Sequence, residues 1–394
     1  MGENKKHLLT RMIKAGEGHD LTSIRTPSVP IFQTTNYLYD DVERGTEILL
    51  SRQPGHIYAR YTNPTIDALN EIVASLEESE SALSFASGMA AISSTILAFC
   101  QPGDHIVSSG FIYGGTYTFF QNQLSRLNIE VSFVDPRDHD AVAGAIRKNT
   151  RILYTEPLAN PTLIASDLSF WHQLAQKNGC KLVVDNTFTP PPILQPLKLG
   201  CDIVIHSATK YLGGHSDLMG GVVCASAADI ETIRPVMKTY GPIIAPMIAW
   251  LLIRGIRTLG VRIERQNENA LALAAFLEKH NRVNKVFYAG LPSNPQYDLN
   301  RRQLNGFSGM LSFDVKGGWE AAKKVMQNLK TIIFTVSLGD ISSLISHPAS
   351  TSHVYLTPEE RAQIGVTEGL LRLSVGIEYI DDLIEDLHKA LNKG

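Results

Sequence analysis

Residues 201–221 read CDIVIHSATKYLGGHSDLMGG. The apolar-leaning run 202–206 predicts a short buried strand, and it runs directly into Ser207-Ala208-Thr209-Lys210, so a lysine flanked by hydroxyls stands just past a strand end. A lysine so placed is partly desolvated, which lowers its pKa and frees its amine to attack a carbonyl. A strand-end lysine pointing into water is the competing reading of the same residues.

Upstream, KLVVDNTF at 181–188 is a second short apolar run, and it ends in Asp185. Reactive groups of open α/β sheets collect at the carboxyl ends of strands, and the interval from Asp185 to Lys210 accommodates one crossover between neighbouring strands. The two side chains can therefore share one site. A Schiff-base lysine and an acid beside a pyridinium nitrogen are the groups that pyridoxal 5′-phosphate (PLP) requires, the acid keeping the ring protonated as an electron sink. Taken alone, an aspartate at a strand end is equally a helix cap.

Around these two runs the pattern is regular. Between about 62 and 259, short apolar runs at 82–85, 105–108, 130–134, 152–155, 182–185, 202–206 and 221–224 alternate with helical stretches, predicting a doubly wound, mostly parallel seven-stranded sheet. In the first crossover, LSFASGMAAISSTILAFC (83–100), the strand passes through Ala86-Ser87-Gly88 into a helix starting near Met89. Free amides and a positive dipole end then lie at the strand's carboxyl edge, which is a phosphate seat or simply a run of small residues. SSGFIYGGTYTFF (108–120) sets Tyr113 before Gly114-Gly115, where a ring can cover a flat cofactor, and TEPLANPT (155–162) is a polar loop or turn carrying Asn160. An anion seat, an asparagine, an aspartate and a lysine at four strand ends are together harder to explain by chance than singly.

Residues 260–394 predict a smaller α/β unit. Its helices are ENALALAAFLEKH, GWEAAKKVMQNLK and DDLIEDLHKALNKG, and its strands VNKVFYAG, GMLSFDVKGG and LLRLSVGIE. Arg372, within the last of these strands, calls for a carboxylate partner, either an internal one or that of an amino-acid substrate. Residues 1–61 are different: TPSVPIFQTTNYLYDD and SRQPGHIYARYTNPT are rich in Pro, Thr, Tyr and Gln without periodicity, and are expected to lie extended against another surface, plausibly a second subunit. Tyr58 and Arg60 alternate within that segment and would point the same way, as site or as packing residues. The organisation expected is a docking segment (1–61), a cofactor-binding domain (62–259) and a C-terminal domain (260–394).

Bulk properties exclude several classes. The chain has 394 residues and a formal net charge of −3, with basic residues scattered, which leaves no electrostatic footprint for nucleic acid. No apolar run approaches a membrane span, the first twenty residues lack the core of a signal peptide, and a cytoplasmic protein is expected. Cys100, Cys180, Cys201 and Cys224 lie in or beside apolar segments, as buried free thiols do, and no metal site is expected.

With these residues in hand the chain resembles the PLP-dependent γ-family of Cys/Met metabolism enzymes, which includes cystathionine γ-synthases, cystathionine γ-lyases and methionine γ-lyases. YARYTNPT, FASGMAA, YGGTY, EPLANPT, VVDNTF, HSATKYLGGHSD, GLPSNPQ, HPASTSH and RLSVGIE follow one another in family order. The resemblance implies a fold-type I PLP enzyme with Lys210 as Schiff-base lysine, Asp185 as partner of the ring nitrogen and Tyr113 as ring-stacking acid/base. It implies that Gly88, Met89, Ser207 and Thr209 hold the phosphate together with Tyr58 and Arg60 of a neighbouring subunit. Asn160, Ser337 and Arg372 would contact the substrate carboxylate and ring oxygen, and the assembly would be a homotetramer of tight dimers.

The implied reaction removes the γ substituent of a sulfur amino acid, followed by hydrolysis to an oxo acid and ammonia (lyase) or by attack of a thiol (γ-replacement). At Gly115 the chain is like the cystathionine enzymes, where methionine γ-lyases have cysteine. Val336 replaces the glutamate of cystathionine enzymes, as in methionine γ-lyases, and TVSLGD and TPEERAQIG point the same way. A γ-lyase is the expectation. A non-catalytic PLP-fold binding module is disfavoured by the joint presence of Lys210, Asp185 and Arg372.

Overall fold

The seven apolar runs become seven strands: β1 (Ser81–Phe85), β2 (His105–Ser109), β3 (Glu130–Val134), β4 (Thr150–Thr155), β5 (Lys181–Asp185), β6 (Ile203–His206) and β7 (Gly221–Ala225). The computed structural model in which they are seen describes residues 6–16, 26–50, 52–354 and 357–393. Residues 1–5 and 17–25 of the expected docking segment lie outside the described residues. The strands form one sheet in the order β1-β7-β6-β5-β4-β2-β3, with β7 antiparallel to both its neighbours and the other pairs parallel. This is the mostly parallel sheet that the sequence predicts.

The strands read as continuous apolar runs because both faces are covered. Leu182, Val184, Val204 and Val222 face a core that also takes Leu69, Val73 and Trp171, whereas Val183, Ile203, Ile205 and Val223 face one that takes Ile92, Ile96 and Ile230. The helix Pro64–Glu77 begins where Asn63 accepts from the amides of Thr65 and Ile66, with proline at the first turn, and ends at Glu78 in the left-handed conformation. The helix Gly88–Phe99 begins at Ser87, whose Oγ accepts the Ala90 amide at 3.1 Å. All four cysteines are free and buried, as expected.

A second sheet follows the helix Leu259–Glu278. It comprises β8 (Val283–Phe287), β9 (Met310–Val315), β10 (Ile333–Phe334), β11 (Leu344–Ser346) and β12 (Leu370–Ser374), in the order β10-β11-β12-β9-β8. The sequence predicts β8, β9 and β12. The other two are too short for alternation to register.

The N-terminal segment is less extended than its composition implies. Helices form at Leu8–Ile13 and Val42–Leu49, the second capped by Asp41, whose carboxylate accepts the Arg44 amide at 2.6 Å. Part of the segment docks on its own chain: Met12, Ala15 and Val29 are buried in the main core, and Arg257 donates to the carbonyls of Ala15 and Pro27. By contrast Leu38 and Val42 are exposed.

Because β7 is antiparallel, β1 and β6 run the same way and their carboxyl ends meet at one edge, with the first residue of β7 between them. Phe85 pairs with Gly221, and His206 with Val222. The fit there has no spare room: a Cβ on Gly221 would lie 2.1 Å from the Ser87 carbonyl oxygen, and one on Gly88 would lie 2.7 Å from Ser207 Cβ. Gly221→Ala is therefore expected to lower stability by about 1–3 kcal/mol, the usual range for overpacking against backbone. The urea midpoint should fall with an unchanged m-value, and a midpoint equal to the parent's would contradict the close approach.

Candidate active site

The carboxyl edge of the large sheet gathers groups from five strands. After β1, the helix Gly88–Phe99 points its N-terminus at the edge, and helix geometry leaves the Gly88 and Met89 amides without an intrahelical acceptor. After β6, the Ser207 amide is held by Thr187 Oγ1 at 2.8 Å, and the Ser207 side chain lies against Gly88. Thr209 uses its hydroxyl on the backbone of Gly220, accepting at 3.0 Å and donating at 3.2 Å.

Lys210 follows in the same turn. Its Nζ donates to Ser337 Oγ at 2.9 Å, and burial, reinforced by the nearby Arg372 charge, pulls its pKa down to about 8. A lysine pointing into bulk water would show neither feature. Ser337 reaches it from the loop after β10 with φ of 92°, a left-handed conformation costly for a non-glycine residue and one that marks functional positions.

Arg372, on β12, is 7% exposed. Its fork donates to Asn160 Oδ1 at 3.0 Å and to the Ser337 carbonyl at 2.8 Å, while Nε is buried with no partner. Burial lowers its pKa to about 10, opposed by Tyr211 and Tyr113. Among the described residues no carboxylate pairs with it. A buried guanidinium satisfied only by neutral oxygens can accept a carboxylate from outside.

Asp185, at the end of β5, is buried. Oδ1 accepts from the Thr187 amide at 3.1 Å and hydroxyl at 2.5 Å, and Oδ2 from Tyr154 at 3.4 Å. Burial pushes its carboxyl above the ordinary range, against the Thr187 hydrogen bonds, the His206 charge and Tyr154. Tyr113, 47% exposed, opens the short helix Gly114–Thr118 after β2, with its ring folded over Gly115. Its amide donates to Glu156 Oε1 at 2.6 Å.

This donor set fits PLP. The helix N-terminus beside Ser207 suits a phosphate. A buried carboxylate whose Oδ2 has only one long hydrogen bond suits a cationic ring nitrogen, and an amine with a lowered pKa suits a carbonyl. Asn160, Ser337, Arg372 and Lys210 form one connected cluster, with Val336 on its rim, 60% exposed. Tyr58 and Arg60 stand apart from it: Arg60 donates to the Lys238 carbonyl at 2.6 Å and lies over the Tyr61 ring, 4.8 Å from its centroid.

Sequence reasoning left Glu156, Tyr154 and Thr187 out of the site. Glu156 and Thr187 stand within TEPLANPT and VVDNTF, and their polarity beside strand ends was the available signal. Tyr154 reads as one more apolar residue of β4.

The family model described as Cys/Met metabolism PLP-dependent enzyme matches residues 9–392. The chain is 42% identical to an L-methionine gamma-lyase of Fusobacterium nucleatum subsp. nucleatum over 396 aligned residues, covering 100% of each chain. It is 43% identical to a cystathionine gamma-lyase of Bacillus subtilis, covering 92% of this chain and 94% of that one. Among solved structures, the cystathionine gamma-lyase from Lactobacillus plantarum complexed with L-serine superposes with a TM-score of 0.92 at 35% identity, covering 98% of this chain and 99% of that one.

The lowered pKa of Lys210 has a measurable sign. In the ligand-free protein the charged amine is disfavoured by folding, so Lys210→Met is expected to be more stable than the parent at neutral pH. That advantage should shrink as pH rises from about 8 toward 10.5, because over this interval the folded lysine has shed its proton while the unfolded one is still shedding it. Urea midpoints of the two proteins across that interval test this; a constant difference would contradict it.

Proposed function

The chain belongs to the Cys/Met metabolism PLP-dependent enzymes, which makes PLP its cofactor, and on that premise we propose that it is a carbon–sulfur γ-lyase. It would convert methionine, homocysteine or cystathionine, with water, into 2-oxobutanoate, ammonia and a thiol. The observation that carries this reading is the Arg372–Asn160–Ser337–Lys210 cluster, in which an unpaired buried guanidinium stands beside an amine of lowered pKa. It is a receptor for an amino acid's carboxylate set against a base that can reach the adjacent carbon.

PLP, when bound, supplies the sink for electrons released at the substrate carbons. The residues do the rest. Arg372 and Asn160 hold the carboxylate and so aim the Cα proton at Lys210 Nζ, which takes it as general base. Ser337 Oγ accepts from the amine while it waits, and Asp185 holds a negative charge against the ring nitrogen. Tyr113, with its ring on the exposed side of the pocket, donates a proton to the departing γ substituent. Gly88, Met89, Ser207 and Thr209 hold the phosphate, joined by Tyr58 and Arg60 from a second copy of the chain in a homotetramer built from dimers. In this reading 1–61 is the intersubunit segment, 62–259 the PLP-binding domain and 260–394 the C-terminal domain of a cytoplasmic enzyme. No helix of the described residues is long and apolar enough to cross a membrane.

The discriminating experiment offers methionine, homocysteine, cystathionine, cysteine and O-acetylhomoserine, with and without added thiol, and records oxo acid against thioether. Oxo acid formed without thiol is expected; thioether as the sole product would move the chain to γ-replacement, the alternative that Gly115 keeps open by its likeness to cystathionine enzymes. Lys210→Ala is expected to stay folded and lose nearly all turnover, together with the visible absorbance that PLP acquires on binding.

Val336→Glu is expected to shift relative kcat/KM toward cystathionine and away from methionine by about tenfold, the effect of one partly solvated charge pair on a distal ammonium. Thermal stability measured alongside separates this from a glutamate that merely loosens the loop. An unchanged substrate ratio in a folded variant would mean that residue 336 does not face the distal group.

A further inference from the structure

Glu156 stands one residue past the end of β4, buried, between the Tyr113 loop and Asp185 on the adjacent strand β5. It is given no part in the mechanism above, yet it is the acceptor that ties the Tyr113 backbone to the sheet, at 2.6 Å.

Two buried carboxyls at adjacent strand ends, with no salt-bridging cation between them among the described residues, do not both ionise. Their surroundings decide which one does. Asp185 receives two hydrogen bonds from Thr187 and one from Tyr154, and feels His206 from behind. Glu156 receives the Tyr113 amide and otherwise faces Asp185 and Tyr154. Burial, and then the Asp185 charge, hold the Glu156 carboxyl well above the usual range.

Resting on the roles assigned to Tyr113 and Asp185 above, we propose that Glu156 is a positioning residue: as a neutral acid it holds the Tyr113 amide, so fixing the ring over Gly115, and it leaves Asp185 as the single negative charge available to the cofactor's ring nitrogen. The neutrality has a purpose. A second carboxylate beside Asp185 would compete for the proton that the ring nitrogen must keep, whereas a carboxylic acid accepts the Tyr113 N–H without adding charge. The anchor matters because Tyr113 is half-exposed on a five-residue helix that has no side-chain cap.

Glutamine reproduces the neutral acid's acceptor, and alanine removes it. PLP-loaded Glu156→Gln is therefore expected to match the parent within about twofold in PLP dissociation constant and kcat/KM, with the bound cofactor's absorbance following the same course against pH. Glu156→Ala is expected to lose about tenfold in PLP affinity, to lower kcat more than it raises KM, and to weaken the circular dichroism of the cofactor band as the ring above it loosens.

A displaced pH course in Glu156→Gln would mean that the glutamate is ionised in the holoenzyme and would overturn the proposal. So would Glu156→Gln as impaired as Glu156→Ala, or Glu156→Ala equal to the parent. Should Glu156→Ala not fold, the pH course of Glu156→Gln still decides. Absorbance, dichroism and PLP affinity are read without substrate, so a wrong choice of sulfur amino acid leaves this test intact, and a parent that binds no PLP would sink the functional reading instead.

Discussion

The site depends on two cations kept out of water with no carboxylate against either among the described residues. Burial lowers the pKa of both, the Arg372 charge lowers that of Lys210 further, and each is satisfied by neutral oxygen atoms: Ser337 Oγ for the lysine, Asn160 Oδ1 and the Ser337 carbonyl for the arginine. Such an arrangement costs folding energy and is retained only where something else gains from it. A carboxylate arriving from outside would bring the missing negative charge, so its binding and relief of this imbalance would be one event. The five-stranded sheet holds Arg372 across from a lysine that follows a strand of the other sheet.

Negative charge is rationed on the opposite side of the pocket. Asp185 has hydrogen-bond donors on its own face of the sheet. On the other face, His206 Nε2 meets Glu77 Oε1 at 2.6 Å, and Asn186, the residue after Asp185, reaches the same Glu77 oxygen at 3.4 Å. The strand end carrying the acid is thus gripped from both faces: along this segment Asn186 joins a polar clasp behind it while Asp185 and Thr187 share the front, as the two-residue period of a strand dictates. A helix from the N-terminal half of the domain, ending in Glu77, takes part in holding a residue more than a hundred positions later.

Legibility in the sequence followed burial and length. β2 and β7, buried at every residue, were readable to within one residue of their ends, and Lys210, Asp185, Tyr113 and Asn160 stood out as candidates because they are polar residues at or just past the ends of such runs. β10 and β11 were not, at two and three residues. The helices at Leu8–Ile13 and Val42–Leu49 were hidden because each has fewer than three turns and no apolar stripe long enough to show a period. Arg372 was conspicuous, but whether its partner was internal depended on atoms 212 residues away in sequence, which only the folded chain brings to 3.0 Å. Glu156 was passed over because a carboxylate in a proline-punctuated loop reads as solvent-facing until its burial is seen.

The position of β7 has a consequence for how the molecule comes into being. β1 joins the sheet through β7, the last of the seven strands to leave the ribosome, and the turn after β1 rests against the first residue of β7. A nascent chain ending before Gly221 can pair β2 through β6, yet β1 has no strand to pair with, and the turn after it lacks the Gly221 backbone it rests against. The anion seat therefore closes late, by insertion of an antiparallel strand between two parallel ones, over a loop that spans most of the domain and is slow to close for that reason. Partial products of synthesis expose two unpaired strand edges at that gap, the surfaces most prone to wrong pairing.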